Sequence, residues 1–141
     1  MVGGGASPVV VVGDMNADLI VRGDVVPRFG QTEQLLDEAS LVVGGSGAIM
    51  ACGLAKLGVP TTMACVVGDD PFGSFMLDAL SGAGVDVSAV RVDPDTPTGL
   101  SIHLAAPDDR AILTHLGTIP ALRPEDVLAA LDVARRAAPG G

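Results

Sequence analysis

Four consecutive valines, Val9 to Val12, run into Gly13-Asp14. A short β-branched run closed by turn residues predicts a central strand buried on both faces of a parallel sheet, followed by a loop. From Asp18 to Val43 the apolar stretches are brief: Leu19-Ile20-Val21, Gln34-Leu35-Leu36 and Leu41-Val42-Val43. Pro27 and Gly30 interrupt them, which predicts short strands outside the main sheet and no helix. Ser46 to Leu57 carries one charge, Lys56, and stops at Gly58, the pattern of a helix buried nearly all round. Thr61 to Val67 predicts the next buried strand, so strand, helix and strand form a parallel crossover unit.

Asp70-Pro71 supplies a cap and a first-turn proline, and Phe72, Phe75, Met76, Ala79, Leu80 and Ala83 recur at helical spacing up to Gly84. This predicts an amphipathic helix. Leu100, Ile102 and Leu104 alternate with Ser101 and His103, and Pro107-Asp108-Asp109 turns the chain into Arg110 to Leu116, a hairpin with one apolar side. Pro124-Glu125-Asp126 opens a last helix that ends in Arg135-Arg136, the charge order a helix dipole favours. The fold class is therefore α/β, with a parallel core and two projecting groups of strands, within about 19–43 and 98–116. Such projections commonly form lids.

The 141 residues and 48% apolar content are enough for one compact core. A net charge of −9 repels phosphate backbones and anionic lipid surfaces, so neither nucleic acid nor a membrane is an expected partner. Met1 to Pro8 carries no basic segment and the apolar run after it is too short for a leader or a span, which predicts a cytoplasmic protein. Cys52 and Cys65 sit among small apolar residues and are expected to be reduced core thiols.

The loop Gly13-Asp14-Met15-Asn16-Ala17-Asp18 follows the carboxyl end of the first strand, where open parallel sheets bind ligands. Asn16 and Asp18 are two apart, so in extended backbone they face the same way and can grip vicinal hydroxyls; an ordinary Asx-rich loop is the competing reading. Gly44-Gly45-Ser46-Gly47-Ala48 lets backbone approach a ligand and presents amides at a helix start, though close helix–strand packing also explains the glycines.

Together GDMNADLI, GGSGAIMACGLAKLG, VVGDDPFGSFMLDALSGAGVDVSAV and PTGLSIHL resemble the ribokinase-like, or PfkB-type, carbohydrate kinases in order and spacing across nearly the whole chain. The resemblance implies ATP-dependent phosphorylation of a sugar or sugar-like polyol hydroxyl. It makes residues 1–141 the amino-terminal, substrate-binding part of a single kinase domain, cut before the nucleotide-binding half. It implies that Asn16, Asp18 and the Gly44-Gly45-Ser46 turn contact sugar hydroxyls, and that the extra strands form a lid that can pair two copies. It also puts Arg110 at the lid face over the substrate; a solvated hairpin charge beside Asp108 and Asp109 is the other reading. His103 and His115 lack a Cys or His partner and receive no role. Where the family places a sugar-contacting asparagine, this chain has Ile49, which cannot make that hydrogen bond.

The family's Gly-Ala-Gly-Asp turn, carrying the catalytic base, is expected downstream of Gly141, so no catalytic, cofactor-binding or metal residue is assigned here. ATP and Mg²⁺ are expected mainly on that missing half, and the chain alone is expected to be inactive. Gly82-Ala83-Gly84-Val85-Asp86 imitates the turn but has valine in place of the aspartate and closes a helix. No P-loop motif is present. Two rivals stand beside this reading. One is a non-catalytic sugar-binding module. The other is a dinucleotide-binding domain, whose glycine spacing Gly45-Ser46-Gly47-Ala48-Ile49-Met50 does not match.

Overall fold

The computed structural model describes residues 6–138; the expectations for Met1 to Gly5 and for Pro139 to Gly141 lie outside them. The elements run β1 (Val9–Val12), β2 (Asn16–Gly23), β3 (Leu36–Gly44), α1 (Ser46–Lys56), β4 (Thr61–Ala64), β5 (Val66–Gly68), α2 (Pro71–Gly82), β6 (Arg91–Asp93), β7 (Leu100–Ala105), β8 (Arg110–His115), a 3₁₀ turn (Ile119–Ala121) and α3 (Pro124–Ala137).

The crossover unit forms as its pattern requires: β1 and β4 pair in parallel, joined through α1. Adjacent carbonyls of one strand point to opposite edges. That of Ala64 takes the Gly13 amide at 3.4 Å, and that of Cys65 takes the Arg91 amide at 3.1 Å. The parallel layer thus runs β1, then the nearly continuous β4 and β5, then β6. Among the described residues β1 pairs only with β4, and Val12 is 50% exposed. The expected burial of β1 on both faces is not reached, and the strand from Thr61 to Gly68 takes the central place.

Helix α1 has the expected position but a different burial. Gly47, Ala48 and Ala51 face the core, whereas Ile49 and Met50 are exposed. The cause is the close approach of α1 to the loop after β1, where a Cβ on Gly13 would lie 3.2 Å from Gly47 Cα. Only small side chains fit between, so the large ones turn outward. Met15, Met63, Met76 and Leu80 fill the centre of the core. Cys65 is buried and free, its thiol pushed up to about 12 by burial, and Cys52 is free and half-buried. Arg91 ties β6 to α3 through two hydrogen bonds to Asp126, at 2.8 and 3.0 Å.

The two projecting groups join into one four-stranded sheet of order β3-β2-β7-β8. Its central pair, β2 and β7, is parallel, and each outer pair is antiparallel. The strands are longer than the brief apolar stretches suggested. β2 spans eight residues from Asn16, and a single nine-residue β3 takes in both Leu36 and Leu41 to Val43. Cross-strand hydrogen bonding extends them through the polar positions, which a reading of apolar runs does not register. No helix among the described residues is long and apolar enough to cross a membrane.

Candidate sugar-binding site

The start of β2 and the start of α1 meet because Asn16 is registered against Gly44 at the end of β3. Asn16 is 5% exposed, and its amide nitrogen donates to Asp18 Oδ1 at 2.7 Å. The Asp18 carboxylate lies over the Cα of Gly44, in the space a Cβ would fill. Gly45 has a φ of 87°, and a Cβ there would meet the Asp14 carbonyl at 2.8 Å and Asn16 Oδ1 at 3.0 Å. Both glycines are thus required, Gly44 for space and Gly45 for space and conformation. Asn16, Asp18, Gly44 and Gly45 form one polar surface.

Ser46 is held differently from expectation. Its hydroxyl donates to Asp14 Oδ1 at 2.9 Å, the Gly47 amide donates to the same oxygen at 3.1 Å, and the Ala48 amide donates to the Asp14 carbonyl at 3.1 Å. Asp14 therefore caps α1 from outside the helix and occupies amides that sequence reasoning left free for a ligand. Burial raises the Asp14 carboxyl, but the Gly47 amide and the Ser46 hydroxyl outweigh it and hold it below the usual aspartate value. A carboxylate at this helix start disfavours a phosphate there.

Register across the second sheet puts Asp18, Ser101 and Thr114 in one row, and Ile20, His103 and Ile112 in the next. Ser101 and Thr114 share a hydroxyl hydrogen bond of 3.0 Å. His103 Nε2 lies 3.2 Å from Asp18 Oδ2, both side chains being under one fifth exposed. That contact is off hydrogen-bond alignment, so the buried Nε2 has no hydrogen-bond partner. Asp14 and His103 are the residues sequence reasoning missed. The Asx-rich loop was a signal for Asp14; nothing local signals His103, because parallel pairing of β2 with β7 is a long-range event.

Arg110 is not brought into this cluster. It is exposed at the first position of β8 and registered with Ala105, itself opposite Arg22. Four residues along and two strands across from Asp18 is about 16 Å between Cα atoms. Ile49 is 57% exposed. Gly82 to Asp86 closes α2, with Gly84 at φ 93° and the Val85 amide on the Leu80 carbonyl, so it is a helix stop. The cavity of about 260 Å³ lined by Val25, Pro27, Leu104 and Ala111 includes neither Asn16 nor Asp18. No His, Cys, Asp and Glu grouping among the described residues could hold a metal ion.

Residues 6–137 match the profile described as pfkB family carbohydrate kinase. This chain belongs to that family. It is 34% identical over 114 residues to a ribokinase of Arabidopsis thaliana, covering 79% of this chain and 30% of that protein. A ribokinase of Bacillus subtilis is 32% identical over 124 residues, covering 88% and 42%. The structure of the Arabidopsis thaliana ribokinase complexed with ribose and ATP superposes with a TM-score of 0.73 at 34% identity, over 80% of this chain and 37% of that one. A Giardia lamblia ribokinase, at 24% identity, shares the fold with a TM-score of 0.77, over 91% and 41%. This pfkB-family chain thus spans less than half of each of these relatives.

Proposed function

We propose that the whole protein is an ATP-dependent carbohydrate kinase and that this chain supplies one wall of its sugar site. The observation that carries the proposal is the convergence of the Asp18 carboxylate, the Asn16 amide and the Gly44-Gly45 backbone on one surface. A carboxylate held by a neighbouring amide is an acceptor for sugar hydroxyls, and the missing glycine side chains let that carboxylate and Asn16 settle against the turn. Relatives named ribokinase, and the neighbour solved with ribose and ATP, support this substrate class. In this role Asn16 orients Asp18, Asp14 steadies the glycine turn through Ser46, and Arg110 is given no contact with a monosaccharide held at Asp18.

The described residues do not fit a triphosphate. The amides of Gly47 and Ala48 are occupied by Asp14, and that of Gly73 by Asp70. ATP and Mg²⁺ are assigned to parts of the whole protein outside this chain, in the cytoplasm where ATP is supplied. Calorimetry of the 141-residue chain with D-ribose, 2-deoxy-D-ribose and D-fructose tests the site. At least one sugar is expected to bind, Asp18→Ala to remove that binding, and an ADP-release assay to show no turnover. Absence of binding by all three sugars, or turnover by this chain alone, overturns the assignment.

The second sheet acts as the lid. One face carries Asp18, Ser101 and Thr114, while Leu41, Ile102 and Leu113 form a row on the opposite face, with Leu41 37% and Leu113 57% exposed. We assign this apolar face to a second copy of the chain, since a patch of this kind is otherwise left in water. Light scattering is expected to give a dimer in the wild type and a monomer in Leu113→Lys; a wild-type monomer at high concentration rejects the pairing.

A further inference from the structure

We propose that His103 is a specificity-determining residue of the sugar site, its Nε2 donating to one hydroxyl of a vicinal diol while Asp18 accepts from the other. The inference rests on the sugar site proposed above and adds to it a residue on a different strand. Three observations carry it. His103 Nε2 lies 3.2 Å from Asp18 Oδ2. That nitrogen is buried and has no hydrogen-bond partner. The two residues project from the same face of the sheet, because the β2–β7 register pairs Asp18 with Ser101 and Ile20 with His103.

A buried polar atom without a partner costs stability unless something occasional satisfies it. In the tautomer with its proton on Nε2, the imidazole is a donor at this position. The site therefore offers one donor and one acceptor side by side. The neighbouring oxygens of a gauche vicinal diol have nearly the same spacing, and can accept from Nε2 and donate to Oδ2 in two parallel hydrogen bonds. Asn16 holds Oδ1 at 2.7 Å and so keeps Oδ2 turned toward the imidazole. Ser101 and Thr114 satisfy each other at 3.0 Å and do not compete for Nε2. A sugar lacking either hydroxyl would leave a buried group unpaired, which is how a site built on hydrogen bonds discriminates.

D-ribose is the probe. The chain has two histidines, and His115, registered with Leu100, points to the opposite face, so it serves as an internal control in imidazole ¹H–¹⁵N spectra. Saturating ribose is expected to move the His103 resonances and leave those of His115 in place. By calorimetry His103→Leu is expected to weaken ribose binding about tenfold or more. His103→Gln, which restores a donor, is expected to recover most of the loss, a rescue that a purely structural role would not give. Unmoved His103 resonances, or unchanged affinity in a folded His103→Leu, overturn the inference. If Asp18→Ala loses ribose while His103→Leu keeps it, the sugar site stands and His103 alone is rejected. If the wild type binds no ribose, the His103 inference is overturned, and the sugar site falls with it only if 2-deoxy-D-ribose and D-fructose also fail to bind.

Discussion

Gly44→Ala is expected to abolish measurable sugar binding and to lower stability by about 1–3 kcal/mol, the usual cost of forcing a methyl group into filled space. The backbone of Gly44 is not the cause, because its φ is not in the left-handed region. The added Cβ would land on the Asp18 carboxylate. Either β3 moves away from β2 or the carboxylate swings off Gly44, breaking its 2.7 Å hydrogen bond from Asn16 and its contact with His103. Chemical denaturation and sugar calorimetry read the two effects separately. The double variant Gly44→Ala/Asp18→Ala removes the clash, so stability should return while binding stays lost. Wild-type behaviour of Gly44→Ala in both measurements would show that the carboxylate does not rest there.

Asp70→Ala is expected to be the most destabilising single truncation outside the apolar core, at about 2–4 kcal/mol. Asp70 caps α2 through the Gly73 amide at 2.8 Å, and accepts from both the amide and the hydroxyl of Thr98 at 2.7 Å. Thr98 is 2% exposed, and its hydroxyl oxygen in turn accepts from the Gly68 amide at 2.8 Å. One carboxylate thus joins the end of β5, the start of α2 and the approach to β7, and alanine would strand three donors. Burial raises the Asp70 carboxyl, but the amides of Thr98 and Gly73 outweigh it and hold it below the ordinary 3.8.

The folded state therefore binds this proton less readily than the unfolded chain. Its stabilisation is complete above the ordinary aspartate value and disappears as pH falls through the lowered one. Asp14 and Asp126 are shifted in the same direction, so wild-type stability should hold near neutrality and fall below about pH 4. Asp70→Ala should lose stability at pH 7 and show a shallower acid decline. A denaturation midpoint and acid profile equal to wild type would remove Asp70 from this role.

Local chemistry made several parts of the molecule readable in one dimension. Asp70-Pro71 marked the start of α2, alternation at Leu100, Ile102 and Leu104 marked β7, and the valine run with its glycine-closed helix marked the parallel crossover. The resemblance to the carbohydrate kinases was legible for the same reason: its motifs are short segments whose residues act together. Asn16 and Asp18 belong to that class, since period-two geometry alone aims them alike.

Other features depend on which strands lie side by side, and residue order does not encode that directly. The merging of two projections into one sheet, the placing of His103 beside Asp18, and the removal of Arg110 to the far end all follow from the β2–β7 register. Asp14 became a helix cap because α1 folds back against the loop after β1, and Ile49 became exposed because that close approach admits only glycine and alanine inside. Propensity and periodicity act over a few residues, whereas these contacts link positions tens of residues apart and arise only once the core has brought them together.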